Sequence, residues 1–171
     1  MKSNQNTKFP ENFKEFIFEL NRFNVEYMLI GGYALGAYGH TRGTNDLDIF
    51  INATEENAHR MIEACLAYGI PKDSLEIEMF LVPKMVVIGE PPLRIEILKK
   101  LDTVDFKYAH TRTKTVNVDN LPIRVVSLDD LILLKQAAVK GRNNARDGED
   151  LSFLKKLKTS LSAKRNKGKS P

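Results

Sequence analysis

A chain of 171 residues, 42% hydrophobic and 28% charged, suits one globular domain, and burying roughly 70% of its unfolded surface lets it fold without staples. The single Cys65 excludes an intramolecular disulfide, MKSNQNTKFPENFKEF carries no apolar signal stretch, and the uncharged run Tyr27 to Gly39 is too short and glycine-rich to span a bilayer, so a cytoplasmic protein is expected. The net charge of +4 belongs to the tail: seven of the 26 basic residues lie from Lys155 to Pro171 with no acid among them, leaving 19 basic against 22 acidic in residues 1–154.

Three parts are expected: a disordered N-terminus over residues 1–11, a domain over 12–157, and a basic C-terminal tail over 158–171. Phe13, Phe16, Ile17, Leu20 and Phe23 recur at helical spacing. Glu26 to Ile30 reads as a buried strand stopped by Gly31 and Gly32, and Tyr33 to Tyr38 as a brief helical segment. Asp46 to Ile51 is a second strand, and Thr54 caps a helix running to Tyr68. Leu75 to Val87 predicts one or two short strands around Pro83, and Leu93 to Leu98 a further strand after Pro91-Pro92. Val116 to Val126 holds one or two strands around an Asp119-Asn120 turn. Ser127 caps a helix over Leu128 to Lys140 that Gly141 ends, and Asn144 or Asp147 opens the last helix, with Leu151, Leu154 and Leu157 on one face. Strands interleaved with helices make an α/β or α+β layered domain.

The chemistry lies in LIGGYALGAYGHTRGTNDLDIFI, Leu29 to Ile51. A strand running through Gly31-Gly32 into a helix lets backbone N–H groups approach phosphate oxygens, although a tight turn alone would also use two glycines. Side chains alternate along a strand, so Asp46 and Asp48 share one face while Leu47 and Ile49 point into the core. Paired carboxylates repel unless a cation lies between them, and hard oxygen donors without Cys or His favour Mg²⁺ or Mn²⁺ over Zn²⁺. Two solvated acids at a sheet edge are the plainer alternative. If Leu93 to Leu98 lies beside this strand, Glu96 can join as a third carboxylate, making two-metal nucleotidyl transfer plausible; otherwise Glu96 is a surface acid paired with Arg94. His40 and Arg42, in the loop before the metal strand, could contact a base or phosphate.

Gly31-Gly32, Gly39, Arg42, Thr44 and Asp46-Leu47-Asp48-Ile49-Phe50-Ile51 together resemble the signature of the DNA polymerase beta-like nucleotidyltransferase superfamily. Within it, the pattern is similar to small bacterial members that include aminoglycoside- and lincosamide-modifying enzymes and abortive-infection-type toxins. The resemblance spans roughly residues 25–157. It implies a mixed sheet flanked by helices, with C-terminal helices. It also implies Gly31, Gly32, Arg42 and Thr44 at the phosphates, and Asp46, Asp48 and Glu96 as metal ligands and catalytic acids; Glu96 stands where an aspartate is usual. In Ser127 to Leu157 it implies a lysine, an arginine and an acid, matched here by Lys135, Arg142 and Asp147. Lys135 could equally snorkel from an apolar helix, and Arg142 with Asp147 could be a surface pair.

The activity implied is transfer of a nucleoside monophosphate from an NTP to a hydroxyl acceptor with release of pyrophosphate. RNA, such as a tRNA end, a small molecule such as an antibiotic, and a protein side chain are all open as acceptors. The basic tail could attract RNA, or be a solvated, frayed terminus. The rival reading is a binding or regulatory module in a toxin–antitoxin-like system, with the fold but no catalysis and a protein partner.

Overall fold

Phe13, Phe16, Ile17 and Leu20 are all buried on one side of α1 (Glu11–Arg22) in the computed structural model of the chain, which describes residues 9–40 and 42–168. Order begins earlier than expected. Phe9 is already buried, its ring edge-on to Tyr33 at 4.8 Å, and Pro10 leads directly into the helix. Residues 9–11 of the segment expected to be disordered over 1–11 are thus packed or helical, and the rest of that expectation, residues 1–8, lies outside the described residues.

The chain continues through β1 (Tyr27–Ile30), α2 (Gly31–Ala37), β2 (Asp46–Ile51) and α3 (Glu55–Tyr68). All four residues of β1 are buried, as a continuous apolar run demands of a strand covered on both faces. The Thr54 hydroxyl caps α3 by accepting the Asn57 N–H at 3.2 Å, and Gly69 ends it in the left-handed conformation at φ 105°. Asn57 is fully buried yet satisfied. Its Oδ1 accepts the Glu26 N–H at 2.8 Å, and its Nδ2 donates to the carbonyls of Glu26 at 3.0 Å and Asn52 at 2.8 Å. One amide thus ties α3 to the entry of β1 and the exit of β2.

The strands expected over Leu75 to Val87 are largely absent. Ile77–Phe80 is a 3₁₀ turn with Phe80 buried, and only Val86–Ile88 (β3) is extended. Ile77 and Phe80 are three residues apart, a spacing that a 3₁₀ turn brings onto one side. β4 (Arg94–Leu98) follows, then a short helix that was not anticipated, α4 (Phe106–Thr111), capped by Asp105. Its Phe106 packs edge-on against Phe50 at 5.2 Å.

Of the one or two strands expected over Val116 to Val126 there are two, β5 (Lys114–Val118) and β6 (Leu121–Val125), paired as a hairpin in which Asp119 and Asn120 both take positive φ, as a type I′ turn requires. α5 (Leu128–Arg142) is capped by Ser127 but passes through Gly141 and ends one residue beyond it. Asn143 supplies the left-handed residue instead, at φ 44°, which its short polar side chain tolerates. Asn144 then caps α6 (Ala145–Lys167).

Among the described residues the strands form one mixed sheet in the order β3-β4-β2-β1-β6-β5. The β2–β4 and β1–β6 pairs are parallel, and the β1–β2, β3–β4 and β5–β6 pairs antiparallel. The boundary expected after residue 157 is no break in the backbone. It marks where α6 leaves the body: Leu154 is buried, Leu157 half-buried, and Lys158 through Gly168 are all exposed yet helical to Lys167. No helix among the described residues is long and apolar enough to cross a membrane.

Candidate active site

On β2 the buried Leu47 and Ile49 alternate with the half-buried Asp46 and Asp48, so both carboxylates face away from the core side. β4 repeats the alternation, with Ile95 and Ile97 buried and Arg94, Glu96 and Leu98 on the other face. The parallel register sets Asp46 beside Arg94 and Asp48 beside Glu96. All four charged groups open into a cavity of about 890 Å³ between this face of the sheet and helices α5 and α6. The conditional placement of Glu96 is thereby met.

Gly31 and Gly32 line the same cavity, and steric necessity accounts for both. Gly31 has φ +68°, and a Cβ there would lie 2.1 Å from Asp48 Oδ2; a Cβ on Gly32 would lie 2.7 Å from the Thr44 side chain. The backbone of α2 therefore presses against Asp48 and Thr44. Thr44 in turn points its hydroxyl at the Asp46 carbonyl, 3.4 Å away, at the foot of β2.

Charge is crowded here. Burial, then the neighbouring Glu96 and Asp46 carboxylates, push Asp48 up to about 7, with Lys135 pulling weakly the other way. Arg94 answers part of the crowding: its Nη2 lies 2.6 Å from Glu96 Oε1 and 3.3 Å from Asp46 Oδ2. Among the described residues no three His, Cys, Asp or Glu side chains converge closely enough to hold an ion as they stand. The donor set itself suits a hard divalent cation. Asp46 and Asp48 offer oxygens only, and the half-buried, repelled carboxyl of Asp48 would be relieved by one.

Of the remaining expected residues, Arg42, Lys135, Arg142 and Asp147 lie in the cavity wall, and each already has a charged partner. Lys135 is buried, with Nζ 2.9 Å from both Asp147 Oδ1 and Asp150 Oδ2. This excludes the snorkelling alternative for Lys135. Arg142 is largely exposed, with Nε 3.6 Å from Asp147 Oδ2. Arg42 forms an ion pair with Asp150, its Nε 2.9 Å from Oδ1 but not aligned for a hydrogen bond. His40 lies outside the cavity lining; it approaches the same carboxylate oxygen at 3.1 Å and stacks on Phe153.

Asp150, fully buried, is the hub that sequence reasoning missed. Burial pushes its carboxyl up, but Lys135 and Arg42 outweigh that and hold it below the usual carboxylate range. It follows Asp147 by three residues, one helical turn on the same face, and that spacing was the signal available. Arg146 was missed as well; it lines the cavity and donates to the Gly43 carbonyl, closing the loop before β2 onto α6.

The nucleotidyltransferase-like antigen of Paracoccidioides brasiliensis superposes with a TM-score of 0.57 at 15% identity, over 90% of this chain and 85% of that one. ANT(2")-Ia in complex with adenylyl-2"-tobramycin gives 0.53 at 14% identity, over 90% and 94%. A solution structure of the same antibiotic-resistance factor gives 0.56 at 13% identity, over 91% and 90%. No protein-family model matches the sequence, and no curated protein matches it. At such identities the likeness is one of fold.

Proposed function

We propose that this chain, which has the nucleotidyltransferase fold, transfers a nucleoside monophosphate from an NTP to a hydroxyl acceptor and releases pyrophosphate. One observation carries the reading. Asp46, Asp48 and Glu96 enter a single cavity from two adjoining parallel strands, against a glycine pair with no room for side chains. Mg²⁺ or Mn²⁺ held by Asp46 and Asp48, with Glu96 as a third ligand, would neutralise triphosphate charge and acidify the attacking hydroxyl.

The acceptor oxygen bonds to the α-phosphorus, the bond from that phosphorus to the α,β-bridging oxygen breaks, and the electron pair leaves with pyrophosphate. The hydroxyl proton goes to Glu96 where Glu96 serves as the base, and to solvent where Glu96 holds the metal instead. Gly31, Gly32 and Thr44 bring backbone close to the phosphates, and Arg42, Lys135 and Arg142 set positive charge in the wall around them. The work of the protein is then positioning and charge neutralisation rather than covalent chemistry.

Two acceptors have support. The exposed basic stretch of α6 favours RNA, such as a tRNA end. The fold shared with ANT(2")-Ia, whose structure holds adenylyl-2"-tobramycin, favours a small-molecule acceptor.

A second reading, a non-catalytic binding or regulatory module in a toxin–antitoxin-like system, is favoured by the grip of Arg94 on Asp46 and Glu96. Calorimetry decides between them. Mg²⁺-dependent NTP binding that disappears in Asp46→Asn/Asp48→Asn supports the enzyme, and its absence from the unaltered protein at millimolar Mg²⁺ overturns it.

A further inference from the structure

Arg94 stands where the pairing of β2 with β4 makes it a neighbour of both outer acids. It is level with Asp46 across the strands and two residues before Glu96 on the same face. A guanidinium there answers the repulsion of two carboxylates without any ion. Its Nη2 reaches both, while its Nε is buried with no hydrogen-bond partner. Among the described residues no other group bonds the guanidinium, so it is held by the two acids and not by the surrounding protein. A side chain held only by the groups it neutralises is displaced by anything that neutralises them better.

We infer that Arg94 is a built-in counter-ion that competes with a divalent cation for Asp46 and Glu96, and so makes tight metal binding depend on nucleotide. The inference rests on the metal and nucleotide site proposed above. Without nucleotide, a cation entering between the outer acids must expel the guanidinium into a cavity whose other acids are already engaged, Asp48 beside the cation and Asp147 with Lys135 and Arg142. With nucleotide, the triphosphate supplies that anion and accepts the bidentate donor geometry of arginine. Metal and nucleotide then bind cooperatively because each removes a cost the other would face alone. Arg94 is a positioning residue in this account: it acts on the metal through the two carboxylates.

Mn²⁺ binding, followed by the electron paramagnetic resonance of the free ion, tests this without any turnover. In Arg94→Gln the affinity for Mn²⁺ in the absence of nucleotide is expected to rise about tenfold, equivalent to ~1.4 kcal/mol. Addition of a non-hydrolysable NTP analogue is expected to tighten Mn²⁺ binding strongly in the unaltered protein and much less in the variant. Arg94→Lys covers the case in which the glutamine variant does not fold. One ammonium grips two separated carboxylates less well, so nucleotide-free affinity is expected to rise there by a smaller factor.

If Mn²⁺ binds the unaltered protein and is lost in Asp46→Asn/Asp48→Asn, yet neither Arg94 variant binds it more tightly, the counter-ion role is overturned and the metal site stands. If the unaltered protein binds no Mn²⁺ even with nucleotide, both fall.

Discussion

Replacing Asp48 by asparagine should stabilise the metal-free protein while destroying the site. Asp48 is pushed from its ordinary value of 3.8 up to about 7, first by burial and then by Glu96 and Asp46. The folded state therefore binds the proton more tightly than the unfolded chain does. Stability from this group is fully present below about pH 4, declines as the pH rises, and is lost by about pH 7 and above. At about 1.4 kcal/mol per pH unit, the interval from 3.8 to about 7 corresponds to ~4 kcal/mol as a ceiling.

Asparagine keeps the shape of the protonated carboxyl and a donor for Glu96, but never ionises. Because Glu96 shares the same charge and Asp46 remains, recovery of about half the ceiling, ~2 kcal/mol, is expected above pH 7. For a chain of this length that is a rise of roughly 4–8 °C in Tm.

Thermal melting followed by circular dichroism, in chelator at about pH 5 and about pH 8, measures it. The variant should gain several degrees more at the higher pH. Saturating Mg²⁺ should then raise the unaltered protein and leave the variant unmoved. A variant that melts no higher than the unaltered protein at about pH 8 would show that Asp48 carries no unrelieved charge in the folded state.

Gly31→Ala should cost more than an ordinary glycine replacement, about 2 kcal/mol or more by chemical denaturation, because the new Cβ meets Asp48 Oδ2 at 2.1 Å and φ is positive. Nucleotide binding should be lost with it; an unchanged denaturation midpoint would refute the close approach. Asn57→Ala removes three hydrogen bonds to the backbone far from the cavity, so a loss of about 2–4 kcal/mol with unaltered NTP affinity is expected from denaturant titration and calorimetry. Lys135→Met removes the buried cation that Asp147 and Asp150 share, leaving Asp150 to Arg42 and Asp147 to the more distant Arg142, and a loss of about 3 kcal/mol is expected, visible as a lowered Tm. Removal of residues 158–171 takes away the exposed end of α6, Lys158 to Lys167, and should leave the melting temperature of the body nearly unchanged. RNA binding, if that is the acceptor, should weaken and lose part of its salt dependence in a filter-binding titration.

Local periodicity made the two aspartates legible. Alternation along Asp46 to Ile51 is a property of any strand, so the shared face followed from the residues alone. The β5–β6 hairpin was legible for the same kind of reason, because Asp119-Asn120 takes the positive φ values of its turn. The stretch from 75 to 88 was not: apolar residues two and three apart fit a strand and a 3₁₀ turn alike, and the choice fell to packing of Phe80. Nor did Gly141 end α5, since a residue that permits a turn does not compel one.

The residues alone thus settled the order of most elements and the shared face of Asp46 and Asp48 with their hard-oxygen donors, and left Gly31-Gly32 as either a phosphate-facing junction or a tight turn. Packing of the elements against one another sets the backbone at Gly31-Gly32 against Asp48 and Thr44 and brings Glu96 level with Asp48. It also gave Arg94 to two acids instead of one and gathered Lys135, Arg42 and His40 around Asp150. The division has one cause. Facing within an element is set by bonds a few residues apart, whereas strand register and helix docking join residues 48 or 108 positions distant, as Asp46 to Arg94 and Arg42 to Asp150, and are set by burial of the whole core.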